Sequence, residues 1–198
     1  MQMANYADPT MMRALRKSAN RQNDAEPAYK KNYNRGTVLW LIFVLIAAMA
    51  LRGYVFQNTR VDGDSMYPNF FTDEQVFVEK LSYLVNEPKR GEVIICRYTD
   101  YGKAVIKRVI GLPGETVEIS QGKTYINGVE LDESAYWNDY ILGDMSPVTV
   151  PGHSVFVMGD NRNVSLDSRL EGPVPYYRII GRAVFVIWPF QSFGRIAD

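Results

Sequence analysis

The sequence predicts a mostly β domain of short antiparallel strands behind a single N-terminal transmembrane helix. Three observations predict it. Beyond Tyr54 the apolar residues recur at every second position in short runs, the spacing of strands with one buried face. Gly and Pro interrupt those runs at Pro68, Pro88, Gly91, Gly111, Pro113-Gly114, Pro147, Pro151-Gly152 and Gly172-Pro173, and no helical periodicity runs between them. Ahead of them all stands one long uncharged stretch, Thr37 to Leu51. Such an arrangement argues a sandwich-like or barrel-like domain.

Residues 1–35 form a polar arm with seven basic groups (Arg13, Arg16, Lys17, Arg21, Lys30, Lys31 and Arg35) against Asp8, Asp24 and Glu26. It is expected to be flexible or weakly helical. The uncharged run is short for a span, which takes ~20 apolar residues. Reading on through Arg52 and Gly53 to Phe56 reaches that length if Arg52 snorkels to the interface. Trp40 and Tyr54 then stand where interfacial aromatics sit. A basic arm is retained inside, so we expect a cytoplasmic arm over 1–35, a transmembrane anchor over 36–56 and an extracytoplasmic domain over 57–198. Two other readings stay open. A buried core helix fits poorly behind a long basic leader. A cleavable signal peptide ending at Ala48-Met49-Ala50 would be cut later than the usual ~15–30 residues.

Strands are expected at 54–61, 75–80, 92–98, 103–110, 116–119, 123–131 with a turn at Asn127-Gly128, 148–150, 154–158 and 181–187. The 198 residues suffice for one such domain and its appendage. Twenty-two basic and 22 acidic side chains cancel, which gives no electrostatic footprint for a nucleic-acid partner. Cys96 is the single cysteine and His153 the single histidine, so neither a disulfide nor a zinc-type ligand set is expected, and no metal or cofactor.

Chemistry concentrates in three stretches. The first is Val61-Asp62-Gly63-Asp64-Ser65-Met66-Tyr67-Pro68, where a glycine-led turn presents a serine hydroxyl. The second is Lys103 to Gly111. As a strand it puts Lys107 between Val105 and Val109 on one face, with Ile106 and Arg108 on the other. Desolvation there lowers a lysine's pKa, the condition for general-base work near neutral pH. Lys107 and Arg108 as ordinary strand charges with solvated heads is the other reading. The third is Met158-Gly159-Asp160-Asn161-Arg162-Asn163-Val164-Ser165-Leu166-Asp167-Ser168-Arg169, dense in multivalent hydrogen-bonding groups. It is either a polar network beside a site or a solvated turn. A calcium loop is excluded, because Arg162, Val164 and Ser165 occupy ligand or glycine positions. The nucleophile elbow fails on Tyr67, the Ser-x-x-Lys pattern fails on Pro68, and a Ser-His-Asp triad would need His153, which opens a strand.

These stretches, in this order behind an N-terminal span, resemble the type I signal peptidases of the Gram-positive bacterial branch over about residues 36–190. The resemblance is carried by 63–68, Arg-Gly-Glu-Val-Ile at 90–94, Lys-Arg-Val-Ile-Gly-Leu-Pro-Gly-Glu at 107–115, and 158–169. It implies a membrane-bound serine endopeptidase that removes signal peptides from secreted preproteins, with Ser65 as nucleophile and Lys107 as general base. Ser165 would help orient the lysine, and Asp160, Asp167, Arg169 and Arg108 would support the site. Val61, Met66 and Ile106 would wall shallow pockets for small residues one and three before the cut. Residues 57–198 would then be a serine–lysine peptidase domain at the outer face of a lipid bilayer.

Two positions depart from the family. Some members carry serine where Gly63 stands and use its hydroxyl in the oxyanion hole, so here backbone N–H groups must serve. Asn69 replaces a usual threonine and is expected to keep a polar cap on the turn. Two other functions are weighed. Another serine–lysine peptidase, such as a self-cleaving SOS repressor, would carry a DNA-binding domain in place of the span. A non-catalytic, membrane-anchored module that binds signal peptides would not need Ser65 and Lys107 intact.

Overall fold

The computed structural model describes residues 8–22, 34–100 and 102–196; the parts of the arm at 1–7 and 23–33 lie outside the described residues. The chain divides into two compact units, residues 1–45 and 46–198.

In the first unit the described part of the arm is helical, one of the two states expected of it. Pro9–Gln22 forms helix α1. The Asp8 carboxylate caps it by accepting the Thr10 N–H at 2.9 Å, and Pro9 opens the helix where a missing N–H costs nothing. Helix α2, Arg35–Val55, starts in this unit and carries the expected anchor sequence. Among the described residues no helix is long and apolar enough to cross a membrane.

The second unit is the mostly β domain. In chain order its strands are β1 Phe56–Arg60, β2 Gln75–Glu79, β3 Val93–Cys96, β4 Val105–Gly111, β5 Thr116–Ser120, β6 Lys123–Ile126, β7 Val129–Glu130, β8 Met145–Thr149, β9 Ser154–Met158, β10 Val174–Pro175, β11 Ile179–Trp188 and β12 Gly194–Arg195. One antiparallel sheet runs β1-β2-β11-β3-β4-β9-β10, with β12 on β11. A smaller one runs β7-β6-β5-β8. Single turns of helix, α3 at Ser82–Val85 and α4 at Ser168–Glu171, fill connections.

The chemistry of the runs explains this layout. Val93–Cys96 and Ser154–Met158 are buried at every position, so these strands are covered on both faces. One core holds Val61, Met66, Phe70, Val76, Ile95 and Ile106, and another holds Ile94, Cys96, Val109, Val155 and Val157. A third joins the two sheets through Ile110, Val117, Ile119 and Phe156. Each fully buried Val or Ile contributes about 1.5–3 kcal/mol over exposure, enough to fix the register of β3 on β4. That register sets Ile94 opposite Lys107 and Val93 opposite Arg108.

The expected strands appear with shifted ends. The first begins at Phe56, because α2 runs on through Val55. Strand 148–150 lies instead at Met145–Thr149, with Pro147 tolerated inside it because β8 is an edge. The run 123–131 folds back at Asn127-Gly128, where both φ angles are positive, 52° and 79°, as a tight hairpin requires.

Candidate active site

The loop from Val61 to Phe70 is pinned at both ends and in the middle. Val61, Met66 and Phe70 are buried in the first core. Between them Gly63 takes φ +92°, a left-handed conformation that a side chain would strain. The Tyr67 N–H closes a turn onto the Asp64 carbonyl at 3.1 Å. A second loop, 159–163 after β9, grips this one from outside. The Asn161 N–H donates to the Ser65 carbonyl at 2.9 Å and its side-chain amide donates to the Asp64 carbonyl at 3.1 Å. Ser65 is left half-exposed on a fixed backbone, and among the described residues none accepts from its N–H.

Strand β4 brings Lys107 to this serine. Its Nζ lies 2.8 Å from Ser65 Oγ, within hydrogen-bonding distance. The lysine is 3% exposed. Burial holds its pKa below the ordinary lysine value, partly offset by the negative charges of Asp167 and Asp160. A buried amine whose pKa is lowered, set against a half-exposed hydroxyl, can accept that hydroxyl's proton in its neutral form. This is the chemistry the arrangement can do.

The polar residues around the pair form two braces. In the first, Asp160 takes a bidentate ion pair from Arg108, with Nε and Nη2 both at 2.8 Å. Arg108 also donates to the Gly91 carbonyl at 2.7 Å and stacks 4.2 Å from the Tyr136 ring centroid. Asn69 joins this brace, donating to Asp160 Oδ2 at 2.9 Å and to the Tyr136 carbonyl at 2.8 Å. In the second, Arg169 makes a bidentate pair with Asp167, both bonds at 2.8 Å. Asp167 also accepts the Gly159 N–H at 3.0 Å, tying the start of the gripping loop to the turn that follows it.

Ser165 stands differently from expectation. Its Oγ is buried and without a hydrogen-bond partner, so it makes no hydrogen bond to Lys107. It sits against Gly159, where an added Cβ would stand inside contact distance of both Ser165 Oγ and the Ser65 carbonyl. Glycine there lets the two loops meet. Sequence reasoning gave no role to Asn161, Gly159 or the buried pair Arg162–Glu133 at 2.6 Å. Asn161 and Arg162 were visible as members of a dense polar loop; Glu133 carried no signal, because its partner is 29 positions away.

A cleft of about 130 Å³ opens beside the pair, with Val61, Val76, Ile95 and Ile106 as apolar walls and Ser65 and Lys107 at its polar side. Met66 does not line it. Its side chain is fully buried beneath the loop, where its sulfur receives the Asp160 N–H at 3.4 Å, so this neighbour of Ser65 is a core residue and not a pocket wall. Along the cleft, β9 pairs with β4 only from Arg108 onward, and among the described strands residues 105–107 have a ladder partner on the β3 side alone. His153 packs its ring against Tyr176, 5.9 Å between centroids, at the start of β9. Among the described residues no cluster of three or more His, Cys, Asp or Glu side chains could hold a metal ion.

Residues 34–188 match the family model described as signal peptidase, peptidase S26. The probable signal peptidase I-2 of Synechocystis is 36% identical over 168 residues, covering 80% of this chain and 75% of its own length. The signal peptidase I of Leptolyngbya laminosa is 40% identical, covering 77% of this chain and 78% of its own. Signal peptidase I S of Bacillus subtilis is 37% identical, covering 78% and 89%.

Proposed function

The chain belongs to the type I signal peptidases of the peptidase S26 family, and from that premise we propose that it removes signal peptides from secreted preproteins with a Ser65–Lys107 dyad. The single observation that carries the dyad is the 2.8 Å approach of a buried Lys107 Nζ to Ser65 Oγ. Neutral Lys107 takes the Ser65 proton as the hydroxyl attacks the scissile carbonyl. The lysinium returns that proton to the departing amine, leaving an acyl-enzyme on Ser65. Lys107 then activates the water that hydrolyses the ester. The Ser65 N–H, free of any described acceptor, donates to the oxyanion, and Gly63 contributes no hydroxyl there.

The substrate lies extended along the open edge of residues 105–107 by strand addition. Its residues one and three before the cut enter the cleft of Val61 and Ile106. Asp160–Arg108 and Asp167–Arg169 hold the two loops in register, and Ser165 supplies an unengaged hydroxyl beside them. Residues 36–56 anchor the enzyme as a single span with the N-terminus cytoplasmic and 57–198 outside. The basic arm before α2 supports that orientation.

Purified enzyme incubated with a preprotein carrying Ala-x-Ala before the junction is expected to release the signal peptide at that bond, read by mass spectrometry. Phe or Leu at the residue before the cut is expected to block it, because a cleft this small rejects bulk by overlap. Equal cleavage of both substrates refutes the assigned cleft.

Activity is expected to rise with pH. The base must be neutral in the free enzyme, and burial sets its pKa below the ordinary 10.5. kcat/KM should therefore climb through an acid limb at the lowered Lys107 value. The same shift acts on stability. The folded form holds the Lys107 proton less tightly than the unfolded chain, so this lysine's contribution to stability is fully present above the unfolded value. It is lost as pH falls through the folded one. A kcat/KM flat from pH 6 upward removes Lys107 as the base.

A further inference from the structure

Helix α1 has no part in the dyad or the cleft, yet its sequence is sorted by face. At about 100° per residue, Met11, Met12 and Leu15 fall within an arc of about 100°, and Arg13, Arg16 and Lys17 fall within another on roughly the opposite side. The three apolar side chains are 66%, 60% and 56% exposed. Over its whole length α1 carries four basic residues, with Arg21 the fourth, and no acidic one; the nearest acid, Asp8, is spent on the cap. A lone helix of 14 residues is near the lower limit of stability in water. An exposed apolar stripe on such a helix calls for a surface to lie on, and the charge beside it calls for an anionic one.

We infer that α1 is an interfacial helix that lies on an anionic lipid surface, with Met11, Met12 and Leu15 in the acyl boundary and Arg13, Arg16 and Lys17 among the headgroups. A second copy of the chain fits worse, because two such helices would bring their basic rows together. An apolar protein groove leaves the basic row without partners. The bilayer answers both rows at once: helices of this type bind through buried apolar area together with attraction to anionic lipids. Juxtamembrane basic residues add to that attraction within about a Debye length of the surface. The inference rests on the proposed anchorage, since α2 would hold the arm beside a bilayer, and it adds the class of lipid that the arm contacts. It also gives the basic arm a task beyond orientation, namely to fix the membrane-side end of the chain against a charged leaflet.

The test uses the full-length chain in nanodiscs, one set of phosphatidylcholine alone and one containing phosphatidylglycerol. Amide exchange over residues 9–22, read by mass spectrometry, is expected to slow at least about tenfold in the phosphatidylglycerol discs only. The double variant Met11→Gln, Leu15→Gln keeps helix-forming residues and is expected to lose that protection while still cleaving preprotein. Equal exchange in both discs overturns the inference, as does protection that persists in neutral detergent without lipid. Co-elution with discs reports the anchor separately. If the chain fails to co-elute, the anchor reading falls. Sedimentation with phosphatidylglycerol vesicles then decides for α1, with binding by the parent and none by the variant as the supporting result, and binding by neither or by both overturning it.

Discussion

Ser65→Ala and Lys107→Ala are each expected to lower kcat/KM for a preprotein by about 10⁴-fold or more, because a nucleophile and its base act as one unit and removing either removes the step. The double variant should be no worse than either single one, the mark of a shared function. Stability should respond in a different way. The Ser65 hydroxyl is half-exposed, and its loss leaves the loop's backbone bonds to Asn161 intact. Lys107 is buried at a cost, so Lys107→Met, which keeps the volume and drops the amine, should melt higher than the parent at neutral pH. Rates measured against a labelled preprotein, with melting followed by circular dichroism, separate the two effects. Turnover by Lys107→Met within tenfold of the parent would sink the dyad.

What the sequence made legible follows from what sequence patterns can carry. The valines either side of Lys107 are two residues away, so the burial of its stem was readable from period-two spacing. Whether its head met water or Ser65 was not readable, because that depends on a contact across 42 positions. The hairpin at Asn127-Gly128 was readable for the same local reason, a turn whose residues must accept positive φ. The braces were seen only as density in one polar loop. Asn69–Asp160 spans 91 positions and Arg108–Asp160 spans 52, and no periodicity marks either. Met66 was expected as a pocket wall from the family resemblance and its place beside Ser65; adjacency in a turn does not fix where a side chain goes, and here the turn drives this one into the core. Strands β10 and β12 are two residues each, below the length at which a pattern exists.

Asp160→Ala is expected to destabilise the domain by about 3–5 kcal/mol, the cost of removing the carboxylate from a buried ion pair. Asp160 is 0% exposed and Arg108 1%, so water cannot replace the lost carboxylate. Two ionic bonds to Arg108 and one from Asn69 go together. In a domain of this size, about 2–4 °C of melting temperature follows each kcal/mol, so a fall of about 6–20 °C is expected. Asp160→Asn keeps one acceptor oxygen and should lose less. Adding Arg108→Met to Asp160→Ala should restore part of the loss, because the buried cation that had lost its carboxylate is then gone. Recovery should stay incomplete, since the Gly91 carbonyl loses its Arg108 donor and Tyr136 its stacked cation. Activity should fall further than stability alone explains, because the loop that contains Asp160 holds the Ser65 carbonyl through Asn161. A thermal melt of Asp160→Ala within 2 °C of the parent would show that this buried pair does not brace the Ser65 loop.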